Sequence, residues 1–320
     1  MKHKRLDQVQ IDEAVEQLHT VRDFLRWAAS RFEEAGVFYG HGTDNAFDEA
    51  YALVIPALHL PFDLHPDYMN ARLTMRERRA IVDWVQERVE SRTPAAYLTH
   101  EAWFAGLRFY VDERVLVPRS PIAELITHHF EPWVEPDKVK RILDLCCGSA
   151  CIGIASAHQF PDAQIDSTDI SEDALAVAAI NVERHDMQDQ VRLVESDLFE
   201  ELHGQKYDLI VCNPPYVDEG ELAAMPDEFH AEPELGLAAG EDGLDLVIRI
   251  LCEAGDHLNP QGVLVVEVGA SAEALEGVFP EVGFTWLDFE NGGDGVFLLT
   301  ADQVREYLAI FRTVREERSL

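Results

Sequence analysis

The chain has 320 residues, 47% of them hydrophobic, which is enough for two domains and a sizeable core. No apolar run approaches the ~18 residues of a membrane span, and polar sequence follows the basic start Met1–Arg5, so neither a spanning helix nor secretion is expected. Sixty Asp and Glu against 26 Lys and Arg give a net charge of −34, a field that opposes free nucleic acid and either speeds the approach of a basic partner or serves as a generally acidic, solubilising surface.

Up to about residue 92 the chain reads as helical. Leu18, Val21, Leu25 and Phe32 recur at roughly helical spacing. Thr74-Met75-Arg76-Glu77 has the form of a capping box and opens a helix with Ile81, Val85 and Val89 on one face. Thr93-Pro94 breaks that helix. A short hairpin is expected at 102–117, turning near Ala105-Gly106. Arg114 to Arg119 leads into a helix over 122–130, and 131–138, with two prolines, is a linker.

From Val139 strands and helices alternate. Strands are expected at 141–146, 164–169, 191–195, 207–212, 262–268, 284–289 and 295–300. Helices are expected at 150–159, 172–185, 244–258 and 272–279. The last two strands are joined by Asn291-Gly292-Gly293, so the pattern is an α/β fold: a seven-stranded, mostly parallel, Rossmann-like sheet ending in an antiparallel hairpin. A smaller helical domain (1–100) and a connecting hairpin and linker (101–138) precede the sheet domain (139–301). A terminal helix (302–320) carries Val304, Leu308, Phe311 and Val314.

Chemistry gathers where strands end. Asp144 to Gly153 is a strand end, a loop of small residues (Cys146, Cys147, Gly148, Ser149, Ala150) and a helix start, whose N–H groups face a ligand. Gly148-x-Ala150-x-x-Gly153 also mimics a dinucleotide fingerprint. Asp169, 21 residues after Gly148 and at the end of the next strand, can accept both hydroxyls of a ribose. Asp197 can accept an adenine amine, with Leu198 covering the ring. The fourth strand ends in Asn213-Pro214-Pro215-Tyr216. Proline supplies no ladder N–H, so Pro-Pro ends the strand and leaves the Asn side chain and adjacent carbonyls at the ligand edge. An Asn oxygen, a free carbonyl and an aromatic can hold a flat –NH2 group. With no obvious catalytic His, this favours S-adenosyl-L-methionine over a nicotinamide dinucleotide. Arg119 is a candidate substrate contact. Glu267 also falls at the ligand edge, without an assigned role. Five cysteines (146, 147, 151, 212, 252) lack a second Cys/His pair at zinc spacing, so no metal is expected and the thiols read as reduced, in a cytoplasmic protein.

The assembled residues resemble the class I S-adenosylmethionine-dependent methyltransferases, and within them the protein glutamine methyltransferases. Arg92 to Thr99, Ala102 to Gly106 and Val115 to Ile126 are similar to the PrmB branch, which methylates a glutamine of the third large-subunit ribosomal protein. The sister branch, acting on release factors, reads Pro-Arg-Pro-Asp-Thr-Glu where this chain has Pro118 to Ala123. The resemblance implies that Asp144 and the loop 146–150 hold the methionine part of the cofactor, Asp169 the ribose, and Asp197 with Leu198 the adenine. Asn213, also beside the cofactor, and Pro214 would take the glutamine amide, with Pro215 and Tyr216 alongside; S-adenosyl-L-homocysteine is the product. The implied partner is a basic ribosomal protein, with no free nucleic acid and no membrane. Ala150 departs from the family, which usually has Gly there. Release-factor methylation, adenine amino methylation of nucleic acid and a non-catalytic ribosome assembly role are the alternatives.

Overall fold

The computed structural model describes residues 5–320, the side chain of Glu219 apart; the basic start Met1–Lys4 lies outside the described residues. The chain divides into two compact units.

The first runs to Ala102 and also takes in Val111–Glu113 and Pro226–Glu232. Its helices are α1 (Gln8–Gln17), α2 (Val21–Ala35), α3 (Ala46–Ala57), α4 (Met75–Ser91) and α5 (Ala95–Thr99). Leu18 is not on the face of Val21, Leu25 and Phe32. It caps the end of α1, and Thr20 starts α2 through a reciprocal bond pattern with Asp23. The capping box expected at Thr74 and Glu77 forms. Phe24, Phe32, Leu53, Ile81 and Val85 are all fully buried between these helices. The same interior holds a charge network. Arg88 Nε donates to Glu49 at 2.6 Å, and Arg92 donates to Glu228 at 3.3 Å. Glu228 also accepts the Phe38 N–H at 3.0 Å. Buried charges persist only when paired in this way. Glu228 thus belongs to the helical unit although it follows the sheet strands in sequence.

The second unit opens at Trp103, within the hairpin of β1 (Ala102–Phe104) and β2 (Leu107–Phe109). Ala105 and Gly106 both have positive φ, 49° and 77°, as a two-residue hairpin turn requires. Then come α6 (Ile122–Thr127), β3 (Arg141–Leu145), α7 (Cys151–Gln159), β4 (Gln164–Asp169), α8 (Glu172–Arg184), β5 (Val191–Glu195) and β6 (Tyr207–Cys212). They are followed by α9 (Glu219–Ala224), α10 (Asp245–Glu253), β7 (Leu258–Glu267), α11 (Ala272–Val278), β8 (Thr285–Trp286), β9 (Val296–Thr300), α12 (Ala301–Glu306) and α13 (Leu308–Arg318).

Seven strands form one sheet in the order β5-β4-β3-β6-β7-β9-β8. Only β9 runs against the others. Successive strand residues face opposite sides. Leu143, Leu145, Ile210 and Cys212 pack with α10 and α13, while Ile142, Leu209 and Val211 pack with α6 and α7. The terminal helix docks on the first side through Phe311, which is fully buried against Phe279.

Several expected ends move. The helix read over 122–130 stops at Thr127, because His129 and Phe130 turn left-handed; Phe130 is apolar for burial, not for helix. The helix read to Leu258 ends at Glu253, and Leu258 already pairs with Tyr207 as the first residue of β7. The strand read over 284–289 keeps only two residues. Beyond it Glu124 binds the loop, accepting from the N–H groups of Glu290 and Asn291.

Candidate active site

The sheet order reverses between β3 and β6, which are neighbours. A crevice at the carboxyl ends of strands belongs at such a switch point. Asp144, Asp169 and Asn213 lie at these ends, on β3, on β4 and just after β6.

Asp144 is 1% exposed. Its Oδ2 accepts the Gly153 N–H at 2.9 Å and the Ser167 hydroxyl at 3.2 Å, while Oδ1 is buried with no partner among the described residues. Burial above all, then repulsion from Asp169, raises its pKa to about 7, against the bonds from Gly153 and Ser167. Gly153 permits this approach. A Cβ there would lie 2.8 Å from Asp144 Oδ2 and collide with Ser167 Oγ. Alanine elsewhere in a helix gains about 1 kcal/mol over glycine. Here Gly153→Ala is expected to lose about 1–3 kcal/mol instead. A melting temperature lowered by several degrees, read by calorimetry, checks it.

The loop between β3 and α7 coils through alternate left-handed residues: Cys146, Gly148 and Ala150 have φ of 59°, 53° and 60°. Ala150, where the resemblance leads to the expectation of Gly, sits where an L-residue pays a backbone penalty. Cys147 is buried, and burial lifts its thiol far above the ordinary range, as it does that of Cys151. All five cysteines are free thiols. The Ser149 carbonyl accepts from Asn181 Nδ2, which also donates to the Tyr110 carbonyl, both at 3.0 Å. Asn181, a fully buried polar residue on the apolar stripe of α8, thus ties the loop to the end of the hairpin.

Asp169 accepts the Gly148 N–H and the Ser171 N–H, both at 2.9 Å, one on each oxygen. Each oxygen keeps a second lone pair. Asp197 is half-buried and pairs with the half-buried Arg249 at 2.9 Å, a contact that water still reaches and that a ligand can exchange. Leu198 is buried and left-handed.

After β6, Asn213 is half-buried, and among the described residues its side chain makes no hydrogen bond. Pro214 is buried; Pro215 and Tyr216 are half-buried. Tyr216 donates its hydroxyl to Glu267 Oε1 at 2.9 Å, and its carbonyl accepts from Ser271 Oγ, also at 2.9 Å. Arg119 is exposed; its guanidinium donates to the Val117 carbonyl at 3.3 Å.

A doubly wound sheet carrying these groups at one edge has the architecture of a methyltransferase domain, and residues 123–232 match the family described as "Methyltransferase small domain". Over 299 residues the chain is 50% identical to the ribosomal protein uL3 glutamine methyltransferase of Francisella tularensis, covering 93% of this chain and 95% of that protein. Proteins of the same name from Neisseria gonorrhoeae and Neisseria meningitidis are 51% and 50% identical, across 92% of this chain and 98% of each. The chain belongs to the ribosomal protein uL3 glutamine methyltransferase family.

Proposed function

We infer that this protein transfers a methyl group from S-adenosyl-L-methionine to the side-chain amide nitrogen of a glutamine in ribosomal protein uL3. The observation that carries the chemistry is Asn213: a half-buried amide with no hydrogen bond among the described residues, at the carboxyl end of β6 and directly before two prolines. The relatives named for uL3 supply the substrate.

The residues present fit the cofactor. It brings a sulfonium methyl, already activated for displacement, and a cationic ammonium. Asp144 Oδ1, buried and without a partner among the described residues, calls for a cationic donor. Asp169 keeps acceptor capacity for two hydroxyls, and Asp197 with Leu198 takes the adenine. The loop 146–150 lets the backbone approach the methionine part.

An amide nitrogen is a poor nucleophile because its lone pair is delocalised. The protein's task is then mainly orientation, worth up to ~7–11 kcal/mol in ideal cases. The Asn213 side-chain oxygen and the Pro214 carbonyl accept the two amide hydrogens and fix the plane. They also favour the positive charge that builds on nitrogen. Pro215 and Tyr216 pack the amide's flank, and exposed Arg119 meets the substrate chain. A basic substrate suits the −34 charge, and a ribosomal substrate supports the reading of a cytoplasmic protein.

Purified uL3, a peptide-chain release factor and adenine-containing RNA, each incubated with radiolabelled cofactor, test the reading. Label on a uL3 glutamine, located by peptide mapping, is expected. Label on the release factor or RNA alone defeats it.

A further inference from the structure

We propose that Glu267 is a positioning residue for amide methylation, the anchor that fixes the Tyr216 ring and the segment carrying Arg119 from one buried carboxylate. The proposal rests on the reading of Asn213 to Tyr216 as the amide site.

Register puts Glu267 beside that site. Cys212 pairs with Val266 across β6 and β7, so Glu267 is the residue next to Asn213 in the parallel ladder. It is 5% exposed, yet it carries two bonds on two oxygens: Tyr216 hydroxyl on Oε1 at 2.9 Å and Ser120 hydroxyl on Oε2 at 2.5 Å. Ser120 also accepts the Ile122 N–H at 3.1 Å, which locks it at the entry to α6. Burial pushes the Glu267 carboxyl above its ordinary pKa, and the two hydroxyls, with the charge of Arg119 behind them, oppose that shift. One acceptor therefore joins the two stretches on either side of the expected amide.

Nothing else in the surroundings leaves Tyr216 slack. A Cβ on Gly269 would lie 2.6 Å from its ring, and one on Gly243 would collide with its carbonyl. Asp242, next to Gly243, is held by both terminal nitrogens of Arg318 at 2.9 and 2.7 Å. The ring lies against backbone on one side and is held at its tip by Glu267. A buried ionisable group at a strand's end adds nothing to the core that an apolar residue would not add better. A role in holding hydroxyls explains why it is there.

The test is a double-mutant cycle on methyl transfer to uL3, with Asn213→Ala as the control for the underlying reading. Glu267→Gln and Tyr216→Phe are each expected to lower kcat about tenfold and to leave the cofactor KM within about threefold. The double variant should fall no more than about threefold below the worse single one, because both remove the same restraint. Losses that multiply to about a hundredfold, or single variants with unchanged kcat, overturn the proposal. If Glu267→Gln melts below the assay temperature, Ser120→Ala carries the test. Its loss of kcat should shrink in the Tyr216→Phe background, where the part exerted through Glu267 on the ring is already gone, and persistence in full overturns the proposal. Retained turnover in Asn213→Ala would instead sink the amide-site reading itself.

Discussion

Asn213→Ala is expected to cut methyl transfer by at least about 10²–10³-fold, the cost of removing one oriented hydrogen-bonding group from a closed site. The same change should leave stability almost untouched. The side chain is only half-buried and makes no hydrogen bond among the described residues, so no native hydrogen bond is lost. Surface-type substitutions of this kind fall within about 0.5 kcal/mol. Cofactor affinity should stay within a few-fold, because Asp144, Asp169 and the loop 146–150 are intact. Three measurements separate these effects: turnover with radiolabelled cofactor, thermal melting, and calorimetric titration of the cofactor. Turnover retained within tenfold would remove Asn213 from the reaction. A large drop in melting temperature would show that the amide serves the fold.

The parts of the fold that alternation controls were legible in the chain. The strands at 164–169, 191–195 and 207–212 form with those bounds, each ending at an acid or one residue short of Pro-Pro. Elements whose ends depend on distant partners were not. Glu228 pairs with Arg92 from 136 residues away, and no local pattern announces that. The path between β6 and α10 leaves and returns through a bridge of Val217 to Ala238, a pairing without strand periodicity. The site shows the same split. Asp144, Asp169 and Asn213 end strands and are visible as such. The residues that hold the neighbouring loop and aromatic ring are single polar interruptions of apolar stripes. Asn181 stands among Ala174, Val177, Ala178 and Val182, and Glu267 closes the run from Val263 to Val266. A polar residue at a core position must be bonded or functional, so the signal was present. Its partner was not, because Tyr110 and Tyr216 are brought there by the fold.

Asp144→Asn is expected to stabilise the protein without cofactor and to weaken cofactor binding about 10–100-fold, the worth of a hydrogen bond to a charged group. The carboxylate's folded pKa of about 7 stands above the value of 3.8 for an unburied one. The folded protein therefore holds this proton more tightly than the unfolded chain. Stability from the group is complete below about pH 4 and is lost as pH rises to about 7. At about 1.4 kcal/mol per unit, the loss reaches a few kcal/mol above neutrality. Asparagine removes the charge and keeps an oxygen for the Gly153 N–H and the Ser167 hydroxyl. The variant should melt higher than the parent at pH 8, and the gap should close toward pH 4. A cationic ligand restores the ionised carboxylate, so binding near neutrality should release a proton from the parent and none from the variant at this position. Titration calorimetry in buffers of different ionisation enthalpy counts that proton. Equal melting of variant and parent at pH 8, with equal cofactor affinity, would mean that Asp144 is neither strained by burial nor in contact with the ligand. The opposite result would identify it as a residue kept at a cost to the fold for the sake of the site.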